Sequence, residues 1–373
     1  MIIKIENYNT NYKDDRIISS VENILRSFYE SKHILIAEDI FFKDIVSKKD
    51  YYSYSARNAA SAAISVSREH KSLLDKVSFY VVIDFSFLEK TFSWFFYNGL
   101  LKFNCGPLYF DDSSKLQATK IIFENPDDSD FFKIIALNFA RKNNINKKSI
   151  RFTPLNGGGN TTKKVFDREK KDNGLLFCIV DNDKKHPKGT MGSTCKALTG
   201  NPVDVNGLLK TDGSGVISIL DVHEIESLIP FDTIENTLKT FKTINGKGDS
   251  IAFFMDMCSV DESAKFYFDH KKGFNICDAL TLDESYGVYW SRILKQIIKK
   301  SPCLTAGSCH CEPVCLSYCG FGDRLLVNTV EYINKYTKSY NPKLTPLLED
   351  KWNAIGKTFY SWTCCPQKKV NLS

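Results

Sequence analysis

A chain of 373 residues suits two or three domains, and its 43% hydrophobic and 13% aromatic content excludes a disordered polymer. The net charge of +6 permits an anionic partner without demanding one. No apolar run approaches the roughly 18 residues of a membrane span, and Met1–Asp15 lacks the apolar stretch of a signal peptide. The expected compartment is therefore the cytoplasm, with no membrane partner. The 12 cysteines are expected as thiols or metal ligands rather than disulfides.

Residues 1–115 read as an α+β region without a chemical motif. Helical periodicity covers Asp14–Ser31, with Ile17, Ile18, Val21, Ile24 and Leu25 on one face. His33–Ala37 reads as a short strand, Ser53–His70 as a helix and Val77–Phe87 as a strand. The aromatic run TFSWFFYNGLL that follows reads as buried. Residues 116–232 alternate apolar runs with helical patterns, which predicts a parallel α/β sheet. The runs are Lys120–Glu124, Ser149–Leu155, Leu175–Val180 and Gly215–Leu220, with a helix over Asp128–Arg141 and a loop over Thr199–Ser214. Residues 233–373 read as mostly helical and Cys-rich, with helices over Ile234–Thr243, Tyr286–Lys300 and Leu325–Tyr336 and a frayed last ten residues. No segment repeats.

Acidic residues stand at the ends of three apolar runs. Glu124 follows KIIF, Asp181 and Asp183 follow LLFCIV, and Glu224 and Glu226 follow VISILDVH. In a parallel sheet the carboxyl ends of strands form the functional edge, so these acids are expected to meet. Crowded carboxylates repel and call for a cation. All-oxygen donors suit Mg²⁺ or Mn²⁺, and a two-metal site of that kind suits phosphodiester chemistry. Taken singly, each acid is more often a helix cap or a solvated loop end, and it is the ordered set that points to a site.

The ordered set of segments resembles a Toprim domain. KIIFENPDDSDFF resembles its first strand and helix, with Glu124 as the motif glutamate. FTPLNGGGN resembles its second strand and glycine turn, LLFCIVDND its Asp-x-Asp strand, and VISILDVHEIESLIP the His-Glu-Ile-Glu segment of the OLD-type branch. The match runs roughly from Ala118 to Pro230. It implies a Toprim-like parallel core with Glu124, Asp181, Asp183, Glu224 and Glu226 as metal ligands. Asn125-Pro126 stands where the family has glycine, and Asp130 is the candidate for a further acid. The resemblance to OLD proteins would bring an ATPase, yet no Gly-x-x-x-x-Gly-Lys-Ser/Thr loop occurs. Gly157–Lys163 lacks the glycine before the lysine, and Ile244–Ser250 has the wrong spacing. The implied protein is a stand-alone Toprim nuclease, an anti-phage effector working beside a separate ATPase or sensor.

Other residues are weighed beside this set. Lys184 is a candidate catalytic cation for the scissile phosphate. Gly157–Gly159 is open between a phosphate-binding nest and a tight turn. His223 is open between a site donor and a structural histidine. Basic clusters place Arg151, Lys163, Lys164 and Lys185 as candidate contacts to DNA or RNA, tRNA included. Cys303, Cys309, Cys311, Cys315 and Cys319 form a candidate structural Zn²⁺ site, with buried free thiols as the alternative. The expected function is metal-dependent cleavage of nucleic acid, restrained by a partner, by homo-oligomerisation or by residues 1–115. The rivals are another Toprim chemistry, such as primer synthesis or strand passage, and a non-catalytic subunit of an ATPase complex.

Overall fold

The computed structural model describes residues 1–9, 14–87, 89–145, 148–171, 174–200, 209–243, 247–299, 302–309, 317–337 and 339–367. It is an α/β structure built on two five-stranded sheets.

The first sheet is formed by β1 (Ile2–Glu6), β2 (Ile34–Ile36), β3 (Phe79–Asp84), β4 (Phe92–Tyr97) and β5 (Leu100–Cys105), in the order β2-β1-β3-β5-β4. Between its strands run α1 (Asp15–Tyr29), α2 (Asp39–Ser47) and α3 (Tyr54–Lys71). Asp14 caps α1 by accepting the Arg16 N–H, and the 3.6-residue period buries Ile17, Val21, Ile24, Leu25 and Phe28. The aromatic run departs from expectation. The Asn98-Gly99 turn, both residues at positive φ, folds β4 back as an antiparallel edge strand. Phe95, Phe96 and Tyr97 are 49%, 62% and 64% exposed there, because an edge strand packs on one side only.

The second sheet takes β6 (Lys120–Phe123), β8 (Thr153–Asn156), β9 (Leu176–Val180), β10 (Leu209–Asp212) and β11 (Gly215–Ile219), in the order β8-β6-β9-β11-β10. Its helices are α4 (Asp128–Lys142), α5 (Thr162–Lys170) and α6 (Ser193–Thr199). The expected run Ser149–Leu155 divides into β8 and a separate β7 (Lys148–Ile150), because the Arg151 N–H turns away to the Thr363 carbonyl. The expected loop Thr199–Ser214 contains β10, while its residues 201–208 lie outside the described residues. Counted in chain order, both sheets run second-first-third-fifth-fourth, all parallel except an antiparallel fourth. The topology is thus repeated although no stretch of sequence is.

Beyond the sheets come α7 (Phe231–Thr240), α8 (Gly248–Val260), β12 (Gly273–Asn275), α9 (Ile276–Tyr286), α10 (Trp290–Ile297), α11 (Pro302–Ala306), β13 (Ser317–Cys319), α12 (Leu325–Tyr336), α13 (Pro346–Thr363) and β14 (Cys364–Pro366). The helix expected over Tyr286–Lys300 is α10 alone, because Gly287 at φ 97° breaks the chain after α9. The expected frayed end is partly ordered: β14 pairs antiparallel with β7, and Cys364 and Cys365 are buried. No helix among the described residues is long and apolar enough to cross a membrane.

Helix α13 joins the sheets. Thr345 caps it through the Leu348 N–H, and Pro346 supplies a preset φ in its first turn. The Trp362 ring stacks on Phe79 of the first sheet at 3.8 Å and on Phe177 of the second at 4.8 Å. Gly356 lets α13 press on α4, since a Cβ there would lie 2.7 Å from Phe139 Cβ. Replacing Trp362 with Ala should therefore cost about 3–5 kcal/mol in urea unfolding. A loss below about 1 kcal/mol would show that the joint lies elsewhere.

Candidate metal centre

Strands β6, β9 and β11 lie side by side in parallel, with Ile122, Cys178 and Ile217 in register, so their carboxyl ends align. The Glu124 Oε1 accepts the Asp181 N–H at 3.1 Å, which ties the two strand exits together. The glycine turn braces the first exit: Gly157 N–H donates to the Phe123 carbonyl at 2.7 Å and Gly158 N–H to the Glu124 carbonyl at 3.2 Å. A side chain at Gly157 would meet the Phe123 carbonyl, 2.8 Å from its Cβ. These two amides are thus engaged with backbone carbonyls, as a tight turn requires.

Beyond β9 the ladder continues, with Asn182 N–H to the Val222 carbonyl and Asp183 N–H to the His223 carbonyl. Asp183 then turns at φ 57°, a conformation aspartate tolerates better than most residues. Its carboxyl lies against Gly192, where any Cβ would collide with it. The remaining pieces come from residues 261–272, which fold over 221–230 through His223 N–H to the Phe266 carbonyl at 2.7 Å and Lys265 Nζ to the Ile229 carbonyl at 3.2 Å. That docking delivers Asp269, His270 and Lys271. The His270 N–H donates to Glu224 Oε1, while Lys271 Nζ lies 3.4 Å from Glu224 Oε2 and 3.1 Å from Glu226 Oε1.

The electrostatics follow from this crowding. Burial, then Asp183, raises the Glu124 carboxyl to about 7. Burial raises Asp128 to about 6, and burial with Glu224 raises Glu226 to about 7. Asp181 is held well above the usual carboxylate range by burial, then by Glu124 and Asp128. Burial also opposes the charged form of Glu224, but the His270 hydrogen bond and charge, with Lys271, outweigh it and bring that carboxyl down. Lys271 is raised despite burial, because Glu226 and Glu224 hold its proton. It also lowers Glu124, Asp128, Asp181 and Asp183, acting as an internal counter-charge to the whole group.

The structure therefore brings Glu124, Asp181, Asp183, Glu224 and Glu226 to one end of the sheet. It differs from expectation elsewhere. Asp128 is buried and raises Glu124 and Asp181 by its charge, whereas Asp130 is exposed at the first turn of α4. Lys184 is buried at 1% exposure, and the ammonium against Glu224 and Glu226 is that of Lys271. Lys185 pairs with Asp269 at 3.1 Å, and Lys163 with Asp167. The Arg151 guanidinium donates to the Glu30 carbonyl, so it fastens β7 to the end of α1. Lys164 is exposed.

The cysteines do not gather among the described residues. Cys309 is in a disulfide with Cys277, contrary to the expectation of thiols, Cys303 is buried, and the Cys319 Sγ meets the Ser250 hydroxyl. Cys311 and Cys315 lie outside the described residues.

Asp269 and Lys271 escaped sequence reasoning because they lie outside the strand-and-helix alternation of residues 116–232; the only signal is a short polar DHKK after Phe266–Phe268. Asp128 opens α4 right after the turn that follows Glu124, in the acid-rich stretch Asp127–Asp130, and that stretch was its only signal. Comparison with protein-family models, curated proteins and solved structures finds no match to this chain.

A raised carboxyl means that the folded, metal-free protein holds its proton more tightly than the unfolded chain does. The penalty for charge is absent below the ordinary value near 4.5 and grows as pH rises through about 7. Glu124→Gln should thus raise the melting temperature of the metal-free protein at pH 8 by on the order of 1–3 °C, with the gain vanishing toward pH 5. An equal gain at both pH values would contradict the electrostatic account.

Proposed function

We propose that this chain is a divalent-metal-dependent nuclease on a Toprim-like core, cleaving DNA or RNA phosphodiesters as an anti-phage effector beside a separate ATPase or sensor. The observation that carries the reading is the meeting of Glu124 and Asp181 across adjacent parallel strands, with Asp128, Asp183, Glu224 and Glu226 around them. Carboxylates of this number, buried at Asp128, Glu224 and Glu226 and half-buried at Glu124 and Asp181, fit a hard divalent cation, Mg²⁺ or Mn²⁺, better than any neutral ligand. Glu124, Asp181 and Asp183 would hold it, with Glu224 reaching a second ion. Such ions neutralise a phosphodiester and make a bound water acidic. Glu124, raised to about 7 in the metal-free protein, would give up its proton on taking the ion. Lys271 places a fixed positive charge on the acidic face, and Lys185 and Lys164 lie on the exposed surface for a phosphate backbone.

One observation favours a second reading, a non-catalytic subunit: Lys271 already neutralises part of the cluster from within. Cleavage of plasmid, linear and single-stranded DNA, total RNA and tRNA, with Mg²⁺, Mn²⁺ or EDTA, separates the two. The nuclease reading expects metal-dependent products that fall at least about a hundredfold in Asp181→Asn, with circular dichroism unchanged. Cleavage that survives in folded Asp181→Asn would overturn the site assignment. Binding of nucleic acid without cleavage, metal and ATPase partner present, would establish the second reading.

A further inference from the structure

The acids described above are joined by a group of different chemistry. His223, Glu224 and Asp269 each offer a ligand atom, and these atoms lie within 4.8 Å of one another with all three residues buried. Among the described residues this is the one such group of His, Cys, Asp and Glu; Glu124, Asp181 and Asp183 are spaced more widely. The imidazole is the informative member. His223 is 5% exposed, its Nδ1 is buried without a hydrogen-bond partner, and its Nε2 lies 3.8 Å from Asp269 Oδ2, beyond hydrogen-bond length. A buried imidazole with its Nδ1 unpartnered, beside two carboxylates, leaves polar capacity unused, which ordinary packing avoids.

We propose that His223, Glu224 and Asp269 ligate a divalent transition-metal ion, and that this site, rather than a Glu224–Glu226 pair, is the second ion position beside the acid cluster. One nitrogen and two oxygen donors suit Mn²⁺, Fe²⁺ or Zn²⁺, whereas Mg²⁺ strongly prefers oxygen alone. Glu226 is engaged instead by the Lys271 ammonium at 3.1 Å, which leaves Glu224 as the acid shared between the two groups. Two lysines compete for the same carboxylates: Lys271 at Glu224 and Lys185 at Asp269. The Lys185 side chain is 50% exposed, so it can leave for solvent when an ion arrives. The backbone fixes the geometry from both sides. Asp183 N–H holds the His223 carbonyl, His270 N–H holds Glu224 Oε1, and Lys272 N–H holds Asp269 Oδ1. The inference shares Glu224 with the nuclease reading but concerns metal ligation, which is read without any cleavage.

The test uses the full chain loaded with Mn²⁺ and electron spin echo envelope modulation, which detects ¹⁴N bound directly to the ion. The wild type should show imidazole nitrogen modulation, and His223→Gln should lose it with Mn²⁺ affinity down at least about tenfold. Asp269→Asn should weaken Mn²⁺ by a similar factor while keeping the nitrogen signal, and it carries the test if His223→Gln fails to fold. Mn²⁺ bound without nitrogen modulation, modulation that survives in His223→Gln, or unchanged affinity in Asp269→Asn would each overturn the site. A cleaving enzyme without the nitrogen signal would refute this site alone; the signal without cleavage, metal and ATPase partner present, would leave the site standing and refute the nuclease.

Discussion

Carboxylates buried within reach of one another repel, and every feature of the second sheet's carboxyl end answers that constraint. Parallel strands β6 and β9 deliver Glu124 and Asp181 to adjacent exits, and the Asp181 N–H partly compensates Glu124. The extension of β9 brings Asp183 beside His223, and residues 261–272 then supply positive charge through Lys271. With desolvation raising three of these acids to about 6 or 7, the group holds protons or cations near neutrality rather than standing fully ionised. A cation bound among these acids would therefore displace protons from them.

The first sheet makes the same point by contrast. It has the same strand order, and Glu6 and Asp84 stand at the ends of β1 and β3, the positions that Glu124 and Asp181 follow in the second sheet. There the acids are individually satisfied: Glu6 by Lys4 and Asp84 by the Asn7 amide and the Ser86 N–H. After β5 the chain reads Gly106-Pro107, with no acid where the second sheet later reaches His223 and Glu224. One topology thus serves as a scaffold twice, and only one copy concentrates charge. The Trp362 stack on Phe79 and Phe177 couples the two copies into one core.

Much of this was legible because parallel strands buried on both faces must be continuous apolar runs. KIIF and LLFCIV announce β6 and β9, and the acids that follow them announce the edge. Elements that depend on partners distant in sequence were not legible. Helix α13 buries Leu348, Trp352, Gly356, Phe359 and Thr363 at helical spacing, but nothing in that stripe shows that Trp362 at its end lies between two sheets. The aromatic β4 looks like core until its hairpin places it on an open edge. Lys271 and Asp269 lie some 90 residues from Asp181 along the chain, in a segment with no periodicity, and only the docking of 261–272 on 221–230 brings them in. The twofold topology was invisible because sheet order is a property of pairing, whereas the side chains of the two copies answer different neighbours.

The most direct test of a cation-dependent acid cluster is a crystal structure of the full chain grown with Mn²⁺, with data collected for anomalous scattering. The account predicts an anomalous peak between the Glu124 and Asp181 carboxylates, lost in Asp181→Asn. A structure with full Mn²⁺ in the solution, no peak among these acids and Lys271 still seated on Glu224 and Glu226 would contradict it.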